Sequence, residues 1–313
     1  MTQNPLISVV LATYNGSKYL PEQLDSIYNQ TYKNIEVIVC DDKSTDATVE
    51  ILKRYQETCG LRYYVNEHTQ GVIKNFEQGI SYATGAYIAL SDQDDVWLPN
   101  KLALSLEQLR KIECEYTPEV PAISFTDLAV VNEDLTPVHP SYWSYMQLNP
   151  EHTQLNRVLV ENVVTGCTLL MNKAVVDLAL PIPKEALMHD VWFLLVTTCF
   201  GKVTYLPEKT VLYRQHSQNV VGARQASWVQ KLSSGYAKIK QRKFSLLEPE
   251  VKQAESFYRQ YLQRLSADPE KKTVLENFIS LKGKGFLERK YLLVRHTFYG
   301  STWTKAVNVI LRA

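Results

Sequence analysis

Apolar positions along the first third of the chain recur with two periods, one suited to strands and one to helices. Residues 6–12 form a β-branched apolar run that stops at Thr13-Tyr14-Asn15-Gly16, as a buried strand entering a turn does. Residues 21–29 carry Pro at their first turn and place Leu20, Leu24, Ile27 and Tyr28 on one face, which predicts a helix. A second buried strand follows at 35–40, ended by Asp41-Asp42-Lys43-Ser44. Thr45 or Asp46 is placed to cap the next helix, in which Val49, Ile51, Leu52 and Tyr55 recur at helical spacing. Residues 61–65 read as a third strand, 72–83 as a helix, and 86–90 as a fourth strand running into Ser91-Asp92-Gln93-Asp94-Asp95. This alternation of strand and helix is the mark of an α/β fold with a mostly parallel central sheet and helices on both faces. In such sheets ligands sit at the carboxyl ends of the strands. Three successive strands here end in polar, acidic or Asn-bearing segments.

Further along, 122–132 reads as a strand-pair element, 137–150 as a loop rich in Pro and aromatic residues, and 163–171 as a strand leading to a short helix that ends at Leu180. From Trp228 the pattern changes to long helical stretches, which puts a boundary near 222–228. The expected organisation is an α/β domain over 1–225 and a helical, basic region over 226–313. No repeats or low-complexity segments interrupt it.

The formal net charge of +1 conceals an asymmetry, because residues 226–313 hold 17 Lys/Arg against 7 Asp/Glu. An acidic body with a basic tail suggests an anionic partner surface, membrane headgroups or nucleic acid being the usual ones. The five cysteines are scattered without a C-x-x-C pair, which argues against a zinc module or disulfide framework and fits a reducing cytoplasm. The apolar run at 6–12 is too short to span a bilayer and lacks the preceding basic residues of a signal peptide, and no later apolar stretch reaches spanning length.

Asp92, Asp94 and Asp95 put three carboxylates into four residues directly after a strand. Such acids repel one another, so a cation is expected wherever they converge. Ligands that are all oxygen suit a hard ion, Mg²⁺ or Mn²⁺, which commonly bridges substrate phosphates. A solvated acidic turn capping the helix that starts near Pro99 would account for the same composition.

These segments together resemble family 2 glycosyltransferases: Val9 to Asn15, the stretch Val37 to Asp46 containing Asp41-Asp42-Lys43-Ser44-Thr45-Asp46, and the Asp92-Gln93-Asp94-Asp95 segment, which is similar to the family's D-x-D motif. The resemblance covers about the first 220 residues and implies a GT-A fold. It also implies roles. Thr13, Tyr14 and Asn15 would line the base pocket, and Asp42 would accept the N3–H of a uracil or thymine, where capping the next helix is its plainer role. Lys74 and Asn75 would face the nucleotide, with Lys74 offsetting phosphate charge. Asp94 and Asp95 would reach ribose and metal, and Asp92 completes the motif. His189-Asp190-Val191-Trp192 is similar to the family's late acidic motif, which makes Asp190 the general base for the acceptor hydroxyl. A plain N-cap for a helix over 191–200 is the simpler account of Asp190, and one residue can do both. His189 and Trp192 fall on the acceptor side, as does Gly166 in Thr165-Gly166-Cys167, where a missing side chain admits a sugar.

The segment from Leu212 through Tyr213-Arg214-Gln215-His216 to Gly222 resembles the loop that closes over the donor, most closely in the bacterial rhamnosyltransferase branch. There His216 would join metal or diphosphate, and Arg214 would pair with phosphate or with a carboxylate of the fold. The resemblance thus implies an inverting, metal-dependent transfer of a sugar, L-rhamnose from dTDP-L-rhamnose or a hexose from a UDP-linked donor. The acceptor would be a growing cell-surface polysaccharide, O-antigen included, or a lipid-linked oligosaccharide. A nucleotidyltransferase would need a Gly-rich basic loop after the first strand, which Ala12 to Gly16 does not supply. A non-catalytic carbohydrate binder would not need Asp94, Asp95 and Asp190 together. A nucleic-acid partner would leave the acidic strand ends unexplained. The basic tail interleaves Phe286, Leu287, Tyr291, Leu292 and Val294 with Arg289, Lys290 and Arg295. It fits a helix lying on an anionic membrane, at the cytoplasmic face of the inner membrane, or else a bundle that packs or forms a homo-oligomer.

Overall fold

Strand β1 (Ile7–Thr13) lies between β2 (Ile35–Asp41) and β4 (Tyr87–Ser91), parallel to both, and β3 (Arg62–Val65) extends the parallel set beyond β2. The computed structural model describes residues 4–216 and 247–312. Among these residues the full strand order is β3-β2-β1-β4-β8-β6-β9-β5, where β5 is Val96–Trp97, β6 is Ala122–Val131, β8 is Leu170–Asn172 and β9 is Lys202–Arg214, while β7 (Pro137–His139) pairs with β6 off this path. β6 and β9 run parallel to one another; β8 is antiparallel to β4 and β6, and β5 to β9.

Helices α1 (Leu20–Tyr28), α2 (Thr48–Cys59), α3 (Val72–Ser81) and α4 (Lys101–Tyr116) follow the first strands in turn. Two short helices then intervene, α5 (Tyr142–Met146) and α6 (Leu155–Val158), before α7 (Lys173–Ala179) and α8 (His189–Phe200). The α3 helix packs on β1 and β2, α4 on β6, β8 and β9, and α8 on β6 and β9. Val9, Val10, Leu11, Ile38, Val39 and Leu90 are removed from water, so the central strands are apolar on both faces, as a covered parallel sheet requires.

Several sequence expectations are corrected here. The stretch expected to be a strand over 163–171 is mostly irregular: a 3₁₀ turn at Gly166–Thr168 precedes the three residues of β8. The 122–132 element is one long strand with β7 as its partner, not a pair by itself. β9 pairs along nearly the whole of β6, although its sequence was not expected to be extended. The cap of α2 is Ala47, and Asp46 acts one residue earlier, accepting from the Thr48 amide at 3.1 Å and the Ser17 amide at 3.1 Å. Helix α8 begins at His189, so Asp190 lies within its first turn and Met188 is the capping position.

Two compact units emerge. The first comprises Met1–Tyr142, Val164–Ile182 and Met188–Asn219; the second comprises Trp143–Val163, Pro183–Leu187 and Val220–Ala313. The second is helical: α6 joins α9 (Glu248–Leu265), α10 (Pro269–Ser280), α11 (Phe286–Arg295) and α12 (Trp303–Arg312). Its core is built by Phe257, Leu265, Leu275, Phe278, Leu293 and Phe298, with Phe278 and Phe298 meeting edge to face at 5.0 Å. The boundary expected near 222–228 lies outside the described residues. Among the described residues, no helix is long and apolar enough to cross a membrane.

Candidate functional site

The register of the central strands decides where the polar segments meet. Thr13 is level with Asp41 across β1 and β2, and Leu11 is level with Ser91 across β1 and β4. The three chain segments that leave these strands therefore emerge side by side. Gln93 ties two of them together: its Oε1 accepts from Thr13 Oγ1 at 2.6 Å and the Tyr14 amide at 2.8 Å, and its Nε2 donates to the Tyr14 carbonyl at 3.2 Å. Gly16 completes the clamp, since a Cβ there would stand 2.3 Å from Gln93 Oε1.

Of the residues expected around a base, Tyr14 projects outward with half its surface exposed, while Thr13 is buried. Asn15 adopts φ 49° and spends its carboxamide oxygen on the Thr45 amide at 2.8 Å. Asp42 is buried, and its carboxylate accepts from Asn66 Nδ2 at 2.9 Å and from the Gln70 and Gly71 amides at 2.8 Å each. Gly71, at φ 86°, takes a backbone conformation that suits glycine, and it starts α3. Asn75, expected to face a nucleotide, is committed inside the fold: its Nδ2 donates to the Cys40 carbonyl at 2.8 Å and its Oδ1 accepts from Asn66 Nδ2 at 3.0 Å. Lys74, expected to offset phosphate, bonds Glu77 at 2.6 Å and the Ile182 carbonyl at 3.0 Å. Both were expected from position in a motif, and local partners within reach absorb their polar atoms.

The acidic segment is assembled from three elements. Asp94 Oδ2 meets His216 Nε2 at 2.8 Å, and the His216 ring stacks on Tyr19 at 4.8 Å. Arg214 locks the end of β9 onto the same segment: its amide donates to Asp95 Oδ1 at 3.2 Å and its Nε to the Asp94 carbonyl at 2.8 Å, while a terminal nitrogen pairs with Glu22. Arg214 is thus the fold's own strut, pairing with a carboxylate as one of its two sequence readings had it. Asp95 is wholly buried, and its Oδ2 has no hydrogen-bond partner. Asp92, Asp95 and Cys167 present ligand atoms within 4.8 Å of one another. Lys101, wholly buried beneath, rests its ammonium 4.2 Å from the Trp97 ring with no hydrogen bond.

Beside this cluster, Gly166 abuts His189 and Asp190. A Cβ on Gly166 would lie 2.8 Å from His189 Nε2 and 3.8 Å from the Asp190 Cβ. His189 is buried against Phe76, ring centres 4.1 Å apart, and neither of its nitrogens has a hydrogen-bond partner. A buried imidazole with no hydrogen-bond partner costs about 1–3 kcal/mol for each orphaned group. Trp192, by contrast, was expected on the acceptor side but is core: it is fully buried and its Nε1 donates to the Ala179 carbonyl at 2.9 Å. It stands two positions after Asp190 in α8, which turns it away to the opposite side of the helix.

Sequence reasoning missed Cys167, Lys101, Tyr142 and Tyr213 as neighbours of the acids. Tyr142 and Tyr213 meet edge to face at 5.8 Å. Burial, followed by the Asp190 charge, pushes the Tyr142 hydroxyl up to about 12. These residues come from two helix starts, a 3₁₀ turn and a strand end far apart in sequence.

The electrostatics are those of buried, crowded acids. Burial first, then the charges of Asp94 and Asp190, raises Asp92 from 3.8 to about 7, and burial together with Asp94 and Asp92 raises Asp95 well above the ordinary carboxylate range. Burial lowers Lys101 to about 8, opposed by Cys167 and Asp95. A folded-state value above the unfolded one favours the fold at low pH and loses that contribution as pH rises. For Asp92 the contribution is complete below about pH 4 and gone above about pH 7. In chelator-treated protein, Asp92→Asn should therefore gain stability over the wild type as pH rises from 5 to 8, by on the order of 2 kcal/mol. Thermal unfolding of both proteins across that range, with and without Mn²⁺, measures it. A difference that does not change with pH would show that the acids are not crowded in this way. Saturating Mn²⁺ should restore the wild type at pH 8 by mass action.

The donor set fits a hard divalent ion. Asp92 and the unpartnered Asp95 oxygen, which lie together with Cys167, offer carboxylate ligands, and Asp94 and His216, bonded to one another, are further candidates. Cys167 is the softer member, its thiol pushed well up by burial and the neighbouring acids, and it suits Mg²⁺ or Mn²⁺ least.

A sheet whose parallel strands end in a cluster of acids offers a ligand site at those strand ends. Residues 8–176 match the family model of glycosyl transferase family 2, and the chain belongs to that family. The putative teichuronic acid biosynthesis glycosyltransferase TuaG of Bacillus subtilis is 27% identical over 230 residues, covering 72% of this chain and 86% of that protein. A UDP-Glc:α-D-GlcNAc-diphosphoundecaprenol β-1,3-glucosyltransferase of Escherichia coli, WfgD, is 31% identical over 106 residues, 34% of this chain and 42% of WfgD, so that match spans less than half of the relative. Among solved structures, residues 1–349 of S. aureus TarS with UDP-GlcNAc superpose at a TM-score of 0.54 with 16% identity, covering 97% of this chain and 89% of that one. The mannosyltransferase PcManGT from Pyrobaculum calidifontis, in complex with GDP-Man and Mn²⁺, superposes at 0.51 with 17% identity, covering 95% and 74%. These structural likenesses establish the GT-A fold. The chain is a glycosyltransferase.

Proposed function

We propose that the enzyme transfers a sugar, with inversion, from a pyrimidine nucleoside diphosphate donor to a lipid-linked or growing cell-surface glycan at the cytoplasmic face of the membrane. One observation carries this reading: Asp94 with His216, Asp92 and Asp95 gather after the strand ends, with Asp190 of α8 close enough to act on Asp92, beside a buried His189 whose ring nitrogens have no hydrogen-bond partner. Asp190 removes the proton from the acceptor hydroxyl. The freed oxygen bonds to the anomeric carbon as the bond to the diphosphate breaks, and that electron pair leaves with the nucleotide. A divalent ion held by Asp94 and His216, with Asp92 or Asp95, would neutralise charge on the departing diphosphate. His189 and Gly166 form the acceptor side, where a sugar hydroxyl would satisfy the orphaned imidazole. Tyr14 covers the base and Asp42 accepts from its N3–H. The names of the relatives support the acceptor class, teichuronic acid in one and a diphosphoundecaprenol-linked sugar in the other.

For the donor, the Tyr213-Arg214-Gln215-His216 segment favours dTDP-L-rhamnose; its continuation over 217–222 lies outside the described residues. UDP-hexoses are the second reading, favoured by the donors named for WfgD and bound in TarS. A panel of nucleotide sugars with Mn²⁺ or Mg²⁺, read as released nucleoside diphosphate, decides between them. Turnover with dTDP-L-rhamnose at least tenfold above UDP-glucose and UDP-GlcNAc is the expected result. The reverse ranking would overturn the rhamnosyl assignment, and no release with any donor would overturn the transfer itself.

A further inference from the structure

We infer that the face of α11 bearing Phe286, Leu287, Tyr291 and Val294 docks on an anionic lipid surface. The inference concerns the helical unit and goes beyond the transfer chemistry.

Helix α11 buries a single side chain completely, Leu293, and this packing orients everything else on it. Phe286 is 53% exposed, Leu287 79%, Tyr291 56% and Val294 53%. Positions 286, 287, 290, 291 and 294 fall on one side of a helix, so the exposed apolar side chains form a stripe with Lys290 in its middle. Two of the cations lie on aromatic faces: the Lys290 ammonium is 3.9 Å from the Phe286 ring centre and the Arg295 guanidinium 5.6 Å from that of Tyr291. Long basic side chains laid along an apolar surface in this way keep their charge at its water-facing edge. The helix has one acid, Glu288, and it is paired with Lys284 at 2.6 Å. Across residues 281–312 there are seven Lys or Arg and that one acid. Trp303, 79% exposed, opens α12, which packs against α11.

Exposed large apolar side chains in a strongly basic setting match the boundary between acyl chains and anionic headgroups. A second copy of the chain fits worse. A two-fold interface would bring the same stripe against itself, setting Lys290 and Arg295 against their own copies with no acid between them. Four partly exposed side chains also fall short of the roughly 800 Å² per partner that a stable interface buries.

The test uses the full chain and vesicles of phosphatidylcholine with or without phosphatidylglycerol. Wild type should sediment with the anionic vesicles at low salt and be released as salt rises. The double variant Leu287→Glu/Tyr291→Glu should bind at least about tenfold more weakly. Both side chains are exposed, so its thermal unfolding and its transfer to a water-soluble acceptor should match wild type, which separates this test from that of the transfer reading. Equal binding by the variant, equal binding to vesicles without phosphatidylglycerol, or no binding by wild type would each overturn the inference. A wild-type dimer that the variant dissociates, without vesicle binding, would overturn it in favour of a second copy.

Discussion

Replacing Asp190 by Asn should lower the rate of sugar transfer by about 10²- to 10⁴-fold, the range a positioned general base contributes, while leaving nucleotide affinity within about twofold of wild type. The substitution is nearly isosteric, and Asn Oδ1 can still accept from the Val191 amide, the 2.8 Å bond that Asp190 makes inside the first turn of α8. The fold around Gly166 and His189 should therefore persist. Steady-state kinetics with the preferred donor, together with isothermal titration of the nucleoside diphosphate, measure the two quantities separately. Loss confined to kcat supports proton removal by Asp190. Unchanged transfer would remove it from that role, and equal losses in transfer and nucleotide binding would make it part of the donor site instead.

Asp94→Ala should cost about 10²- to 10³-fold in kcat/KM and abolish the response of donor binding to Mn²⁺. The reason lies in its geometry. Asp94 touches His216 at 2.8 Å, its own carbonyl accepts from Arg214 Nε, and Asp92 feels its charge. Removing the carboxylate would thus take away one proposed metal ligand and free a second, His216. His216→Ala should have a smaller effect alone and add little on top of Asp94→Ala, since residues that act as a unit are not additive. Full additivity of the two losses would show that they do not share an ion. EDTA should reduce wild-type transfer to the level of Asp94→Ala, and Mn²⁺ should restore only the wild type.

The parallel half of the sheet was legible because its strands are covered on both sides and read as unbroken apolar runs. β1, β2 and β4 fall within a residue or so of where Leu6 to Ala12, Ile35 to Cys40 and Ala86 to Leu90 placed them. β9 escaped notice because Lys202 to Lys209 alternates weakly, and its middle at Glu208 and Lys209 is exposed; pairing with β6 supplies what local pattern lacks. β8 was overestimated because burial of Val163, Val164, Cys167 and Leu169 comes from loop packing, and an apolar run alone does not distinguish the two. In the site, carboxylates at strand ends could be found by their position after apolar runs. Partners such as Cys167, Lys101 and Tyr213 could not, because only the packing of α4, the turn before β8 and the end of β9 brings them near Asp95. Trp192 shows the opposite error. An aromatic residue beside a candidate base looks like a sugar platform in sequence, yet the turn of α8 directs it into the core.

The Asp42 carboxylate carries one further consequence, which is a matter of counting. A carboxylate offers about four acceptor positions, and the chain's own Asn66, Gln70 and Gly71 occupy three. About one is left. Uracil and thymine present a single N3–H and can be served by that remaining position, whereas guanine presents its N1–H beside an exocyclic amine and asks for two. Under the base contact proposed for Asp42, the loop it anchors would also act as a filter: by using up acceptor capacity before any nucleotide arrives, it would disfavour guanine through shortage, with no clash required. Freeing the carboxylate, by Asn66→Ala for instance, would widen the choice of base at the expense of the loop's order.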